Sequence, residues 1–288
     1  LKQLFAHHGL FGFKKLSTPL DGAVLNLTYI QLSFYFISFI AVIYFVLKSI
    51  NQTLETDAKI LTNITAYIVR SSFWAVLIVG IADFIISFLV VEKLAEPIFN
   101  EAIKINLVIP TFRITFIHFP LILISFVIGY FTRSVGFIWL AVLVVGSEFL
   151  IVLSRFIFEY EQAFQGDLVR FWYAALYLFA SAYALIHEGH VRVDVLYTGF
   201  SERKKAWTNT IGSLLFGIPL CLIIIFLGMG GKASIINGPV ISFEITQQGS
   251  NGLYLLYLMA VYLAVFAVTM LIQFTSYFMD SSHKLLKN

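Results

Sequence analysis

From Ala23 to Leu47 the chain runs without a single charged side chain. That exceeds the roughly 20 apolar residues needed to cross a hydrocarbon core. Lipid offers backbone N–H and C=O groups no partner, so such a segment must satisfy them internally and becomes a helix. Similar runs recur at 72–91, 111–131, 135–157, 168–186, 206–229 and 253–279. Charged residues make up 12% of the chain and the mean hydropathy is +0.89, outside the usage of soluble domains. The expectation is an all-α integral membrane protein with about seven transmembrane helices plus interfacial helices.

The connecting stretches are short and polar. Residues Leu1 to Gly22 mix Phe and Leu with Lys2, Lys14 and Lys15, which suits either a segment lying among lipid headgroups or a cationic tail. Residues 48–70 read as a loop with a partly amphipathic helix. Residues 92–110 read as a loop with a short interfacial helix bounded by Pro97 and Pro110. Thr132 to Ser134 makes a tight turn, and 230–252 has the Gly, Pro and Asn content of a loop. No cleavable signal peptide opens the sequence, so the first span is expected to act as its own insertion signal. The division expected is an N-terminal membrane extension over 1–134, with an interfacial segment and about three spans, followed by a four-span domain over 135–288.

Charge here reports topology. A net charge of +3, with the basic residues at the ends of apolar runs, gives no basis for a nucleic-acid partner. The 187–205 loop carries Arg192, Arg203, Lys204 and Lys205, and cationic loops are retained on the cytoplasmic side during insertion. The C-terminal tail, with Lys284 and Lys287, falls on the same side. The bias is concentrated in the last four spans. Cys221 has no second cysteine to pair with and is expected to be a lipid-facing or core thiol.

Ionisable residues within spans are candidates for function because burying them in lipid is costly. Asp83 and Glu148 are the acidic cases. An ion relay needs several such groups along a path, often on broken helices. These two stand alone in their runs, so they read as contacts between helices or with a partner. His118, two residues before Pro120, reads as a satisfied imidazole in a kinked helix. His187, Glu188 and His190 are ligand types for zinc, but they lack the H-E-x-x-H spacing of a zinc hydrolase helix and a third remote ligand. No metal is expected there. In Val191–Val195 the valines alternate with Arg192 and Asp194, so the charges share one side of an extended stretch and can bind each other, helix ends or lipid phosphate. Arg155, Asp167 and Arg170 sit at span ends, where guanidinium groups hold carboxylates or lipid phosphates. No nucleophile with a matching base, phosphate-binding glycine loop or heme or flavin signature is present, so neither catalysis nor a cofactor is expected.

Three local patterns carry a resemblance to a known family. They are Ser154-Arg155-Phe156-Ile157-Phe158 closing a span, Gly166-Asp167-Leu168-Val169-Arg170-Phe171-Trp172 opening the next, and Glu188-Gly189-His190-Val191-Arg192-Val193-Asp194-Val195 after it. Over Trp139 to Met279 the chain resembles the DctQ-type small membrane subunit of tripartite ATP-independent periplasmic (TRAP) transporters. Residues 1–134 depart from the four-span pattern of short members and look like the N-terminal extension of longer ones, with Gly80–Phe88 the suggestive piece. The resemblance implies a bacterial inner-membrane protein partnered by a large TRAP membrane subunit and a periplasmic substrate-binding protein, in sodium-coupled uptake of an organic acid. It implies a scaffold that holds no substrate. On that view Asp83, Glu148, Arg155, Asp167, Arg170, His190, Arg192 and Asp194 are structural or partner-interface residues. The alternatives are a self-contained transporter or channel, which inverted repeats would favour, and a membrane enzyme using the histidine-rich loop, which a bound metal would favour.

Overall fold

The computed structural model describes residues 22–133, 137–186, 197–246 and 249–287. Among them there is no strand. Beside one short 3-10 turn at Gly249–Asn251, nine helices follow in order among the described residues: α1 (Gly22–Lys48), α2 (Leu54–Val91), α3 (Glu101–Leu107), α4 (Pro110–Phe131), α5 (Phe137–Phe158), α6 (Ala163–Ile186), α7 (Glu202–Met229), α8 (Asn237–Ser242) and α9 (Leu256–Lys287). Among the described residues six are long and apolar enough to cross a membrane, namely α2, α4, α5, α6, α7 and α9. The expected first span coincides with α1, a helix of 27 residues.

Helix α2 corrects one expectation. The partly amphipathic helix expected in 48–70 is present, but from Leu54 it is not separated from the span by a loop: one helix of 38 residues runs through both. Hydropathy marks where a chain meets lipid, whereas the helix continues into polar sequence because local chemistry supports it. The Thr53 hydroxyl accepts the Thr56 N–H as an N-cap, at 3.3 Å. Glu55 and Asp57 lie in the positive first turn, and Lys59 Nζ reaches Glu55 one turn away at 2.6 Å.

Two π turns interrupt spans, at Ile114–His118 in α4 and Ser213–Gly217 in α7. Each lies just ahead of a proline, Pro120 or Pro219. Proline lacks the N–H that would close a regular turn, and the wider turn instead closes with Phe119 N–H to Ile114 O and Ile218 N–H to Ser213 O.

The described chain divides into two compact units. The first draws on Leu1–Thr62, Val191–Ile241 and Leu271–Asn288, and the second on Asn63–His190 and Ser242–Met270. In the first unit the Ser276 hydroxyl donates to Ala58 O at 2.7 Å and lies 2.9 Å from the Thr62 hydroxyl, which ties α9 to α2 where lipid supplies no partners. Asn237 donates to Met229 O and Gly231 O, closing the turn between α7 and α8. Cys221 is a core thiol, 1% exposed.

The second unit is built around α6. Phe164, Leu168, Phe171, Trp172, Ala175 and Phe179 recur at helical spacing and form the centre of its core with Val76 and Val79 of α2 and Leu258 and Tyr262 of α9. Gly80 leaves room for this packing, because a Cβ there would sit 2.8 Å from Trp172 Nε1. The indole N–H donates to Val76 O at 3.2 Å, so its burial leaves no orphan donor. Helix α6 begins before the expected span, placing Asp167 and Arg170 within its first turns. Helix α9 begins at Leu256 rather than Leu253. Leu253, Tyr254 and Leu255 precede it as buried non-helical chain.

Candidate functional site

Non-helical backbone inside a membrane domain has to find its hydrogen bonds from neighbours. The buried segment Gly252–Leu255 of the second unit finds them on acidic side chains. Asp83 Oδ2 accepts the Tyr254 N–H at 2.7 Å, and Asp167 Oδ2 accepts the adjacent Leu253 N–H at 3.1 Å. The Ser87 hydroxyl, one turn beyond Asp83, donates to Gly252 O at 3.3 Å.

Asp83 is fully buried and its other oxygen takes two further donors. Arg113 Nη1 approaches Oδ1 at 2.9 Å and His118 Nε2 at 3.0 Å. Arg113, 1% exposed, also donates to Ser87 Oγ at 2.9 Å and through Nε to Leu107 O at 3.0 Å. Its guanidinium lies 3.9 Å from the centre of the Tyr254 ring, while the Tyr254 hydroxyl donates to Val108 O. His118 Nδ1 lies 3.1 Å from the Tyr257 hydroxyl, and the two rings are nearly parallel.

Arg113 and His118 are five residues apart, which on a regular α-helix would separate them by about 140°. The π turn between them reduces that angle, and Arg113 spans the rest with its long stem. Arginine remains a cation and a carboxylate only accepts, so Arg113 and His118 Nε2 both donate to Asp83. Every oxygen of Asp83 is thus engaged by fixed donors, and the arrangement pins α2, α4 and the chain entering α9 to one another.

The other expected residues lie apart from this cluster. Arg170 contacts Asp167 at 3.3 Å and is itself exposed. Arg155 pairs with Glu161 at 3.3 Å, both exposed. Nearby, Tyr160 donates to Glu92 at 2.7 Å and Gln165 donates to the Ser154 hydroxyl, holding the turn between α5 and α6. Burial, reinforced by the Glu92 carboxylate, pushes the Tyr160 hydroxyl up from its ordinary value, so it stays a donor. Glu148 is exposed on α5. His187, Glu188, His190, Arg192 and Asp194 lie outside the described residues.

Arg113, Ser87, Tyr254 and Tyr257 were not singled out from sequence. Arg113 is a core residue of α4, neutralised by Asp83. A usable signal was present: one span carries a buried-type acid at Asp83, and the next carries Arg113 and His118. Opposite charges in consecutive spans are complementary.

Residues 144–278 match the family model of the DctQ component of tripartite ATP-independent periplasmic transporters. This segment is a DctQ-type TRAP domain. No curated protein and no solved structure matches the chain. The DctQ-type segment supplies Asp167, the 252–255 backbone and Tyr257 to the network, while Asp83, Ser87, Arg113 and His118 come from chain that precedes it. The matched segment and the chain that precedes it therefore share one buried polar network within the second unit. The DctQ family is a component of a transporter, a class that is not enzymatic in general, and it implies association with a large membrane subunit and a binding protein. Its multiple apolar helices suit a multi-pass protein of the inner membrane.

Proposed function

We propose that this chain is the non-catalytic small permease subunit of a sodium-coupled TRAP transporter, enlarging the fixed scaffold against which the large subunit moves during uptake of an organic acid. The observation that supports it best is the saturation of Asp83. A carboxylate that binds a moving ion must exchange ligands with it, and Asp83 has its oxygens held by Arg113, His118 and the Tyr254 backbone, at 2.7–3.0 Å. Fixed polar staples inside spans are what a rigid element needs. The periplasmic binding protein would deliver substrate to the large subunit, and the 187–205 loop and C-terminus would face the cytoplasm.

Reconstitution tests this reading. The purified chain in liposomes is expected to accumulate no organic acid with or without a sodium gradient, whereas the full set of subunits accumulates one in a sodium-dependent way. Accumulation by the single chain would establish a self-contained transporter instead.

A further inference from the structure

Glu148 lies near the middle of α5, about 15 Å from either end at 1.5 Å per residue. In a hydrocarbon core about 30 Å thick that is close to the midplane. The side chain is exposed, and among the described residues it has no hydrogen-bonding or ion-pairing partner. The buried acids Asp83 and Asp167, by contrast, are both paired. Helix α5 is also the least covered of the six long apolar helices, with 11% of its most apolar stretch buried against 22–44% in the others. Its other side is anchored, since Leu140 and Ser147 are buried. At helical spacing Val145 and Val152 stand on the same stripe as Glu148, exposed by 68% and 47%, and Phe149 flanks them at 60%.

A carboxylate at that depth on an apolar face requires a partner, because hydrocarbon offers it none. We infer that the Val145–Glu148–Val152 stripe is a docking seam for a transmembrane helix of the large membrane subunit that presents an arginine or lysine at the midplane. The inference rests on the reading that this chain pairs with such a subunit. Charge complementarity selects the occupant. A second copy of this chain related by a two-fold axis would set Glu148 against its own like charge, which is unfavourable. Lipid headgroups lie too far from the midplane to supply the cation. The apolar flanks exclude water around the pair, and the fork of a guanidinium would hold both carboxylate oxygens.

The test uses the complete transporter expressed in membranes, with the photocrosslinker p-benzoylphenylalanine placed at Val145, at Val152, and at Leu215 of α7 as a control. Crosslinks to the large subunit are expected from the first two positions and not from the control. In parallel, Glu148→Lys is expected to lower co-purified large subunit at least tenfold, and Glu148→Gln several-fold less. Reversing the cation on the crosslinked helix to Glu is expected to restore recovery with Glu148→Lys. Wild-type recovery with Glu148→Lys, or crosslinks from the stripe only to lipid or to a second copy, would overturn the seam while leaving the scaffold reading intact. Failure of the wild-type chain to co-purify with any large membrane subunit would instead bring down the scaffold reading, and the seam with it.

Discussion

Asp83 and Tyr254 are 171 residues apart in sequence, yet the carboxylate of one accepts the backbone N–H of the other at 2.7 Å. The bond matters because that N–H lies in buried non-helical chain, where water cannot substitute. The same carboxylate neutralises Arg113, so two requirements meet on one side chain.

Removing Asp83 therefore leaves a buried cation and a buried N–H unsatisfied together. Asp83→Leu is expected to cost about 3–5 kcal/mol, the range for breaking a buried ion pair from one side. Pairing it with Arg113→Met removes the stranded charge and is expected to recover a large part of that loss. Melting temperatures of the wild type, Asp83→Leu and the double variant in one detergent check this. Arg113→Lys is expected to behave as a partial loss, because one ammonium cannot reach Asp83, Ser87 and Leu107 O at once or lie flat on the Tyr254 ring. A single Asp83→Leu variant as stable as wild type would show that the network contributes nothing to the fold.

Close helix contact in the second unit depends on Gly129. A Cβ at that position would fall 2.5 Å from Ser71 Oγ and 2.9 Å from Ser71 Cα, so α2 and α4 would have to separate. Gly129→Val is expected to destabilise by about 3 kcal/mol or more through overpacking. Gly212→Ala is the control, since nothing lies within 4 Å of its added methyl. It is expected to be neutral or to stabilise by up to about 1 kcal/mol through helix propensity. Thermal unfolding followed by size-exclusion chromatography separates the two outcomes.

The spans were legible from sequence because hydropathy and length report the lipid directly, and α4, α5 and α7 lie close to the runs that announced them. What hydropathy does not carry is how far helix continues outside lipid: the partly amphipathic helix of 48–70 joins the span without a break, supported by the Thr53 cap and the Glu55–Lys59 pair. Asp83 stood out by its charge. Its partners did not, because Arg113 sits at the edge of an apolar run, where a cation also suits an interface, and the Tyr254 contribution is a backbone N–H with no sequence signature. The buried segment 252–255 was invisible for the same reason: Leu, Tyr and Leu before a span look like the span itself.

The Tyr160 bond to Glu92 gives a pH test. Burial first, and then the Glu92 carboxylate, raise the folded-state value of this hydroxyl above the unfolded value of about 10. The stability it contributes is therefore fully present below about pH 10 and is lost only as pH rises further. Tyr160→Phe is expected to lower the melting temperature by the same amount at pH 7 and pH 9, with the difference from wild type shrinking only in stronger alkali. A difference that already fades between pH 7 and pH 9 would mean the hydroxyl ionises there and is not held as a donor.

Asp167 offers the sharpest test of the division of labour between subunits. It is 8% exposed, accepts the Leu253 N–H at 3.1 Å and contacts Arg170, so its loss frees the chain entering α9. If it acts as a structural anchor, Asp167→Ala lowers the amount of assembled complex in the membrane severalfold, because an unpaired buried N–H costs about 1–3 kcal/mol. Complex that does assemble is expected to keep the wild-type half-saturating substrate concentration, since nothing at the transport site has changed. Arg192→Ala is expected to show the same pattern. Uptake kinetics per assembled complex, quantified after purification, decide the matter. A tenfold rise in half-saturating concentration with normal assembly would place these residues in the transport site and transfer part of substrate recognition to this chain.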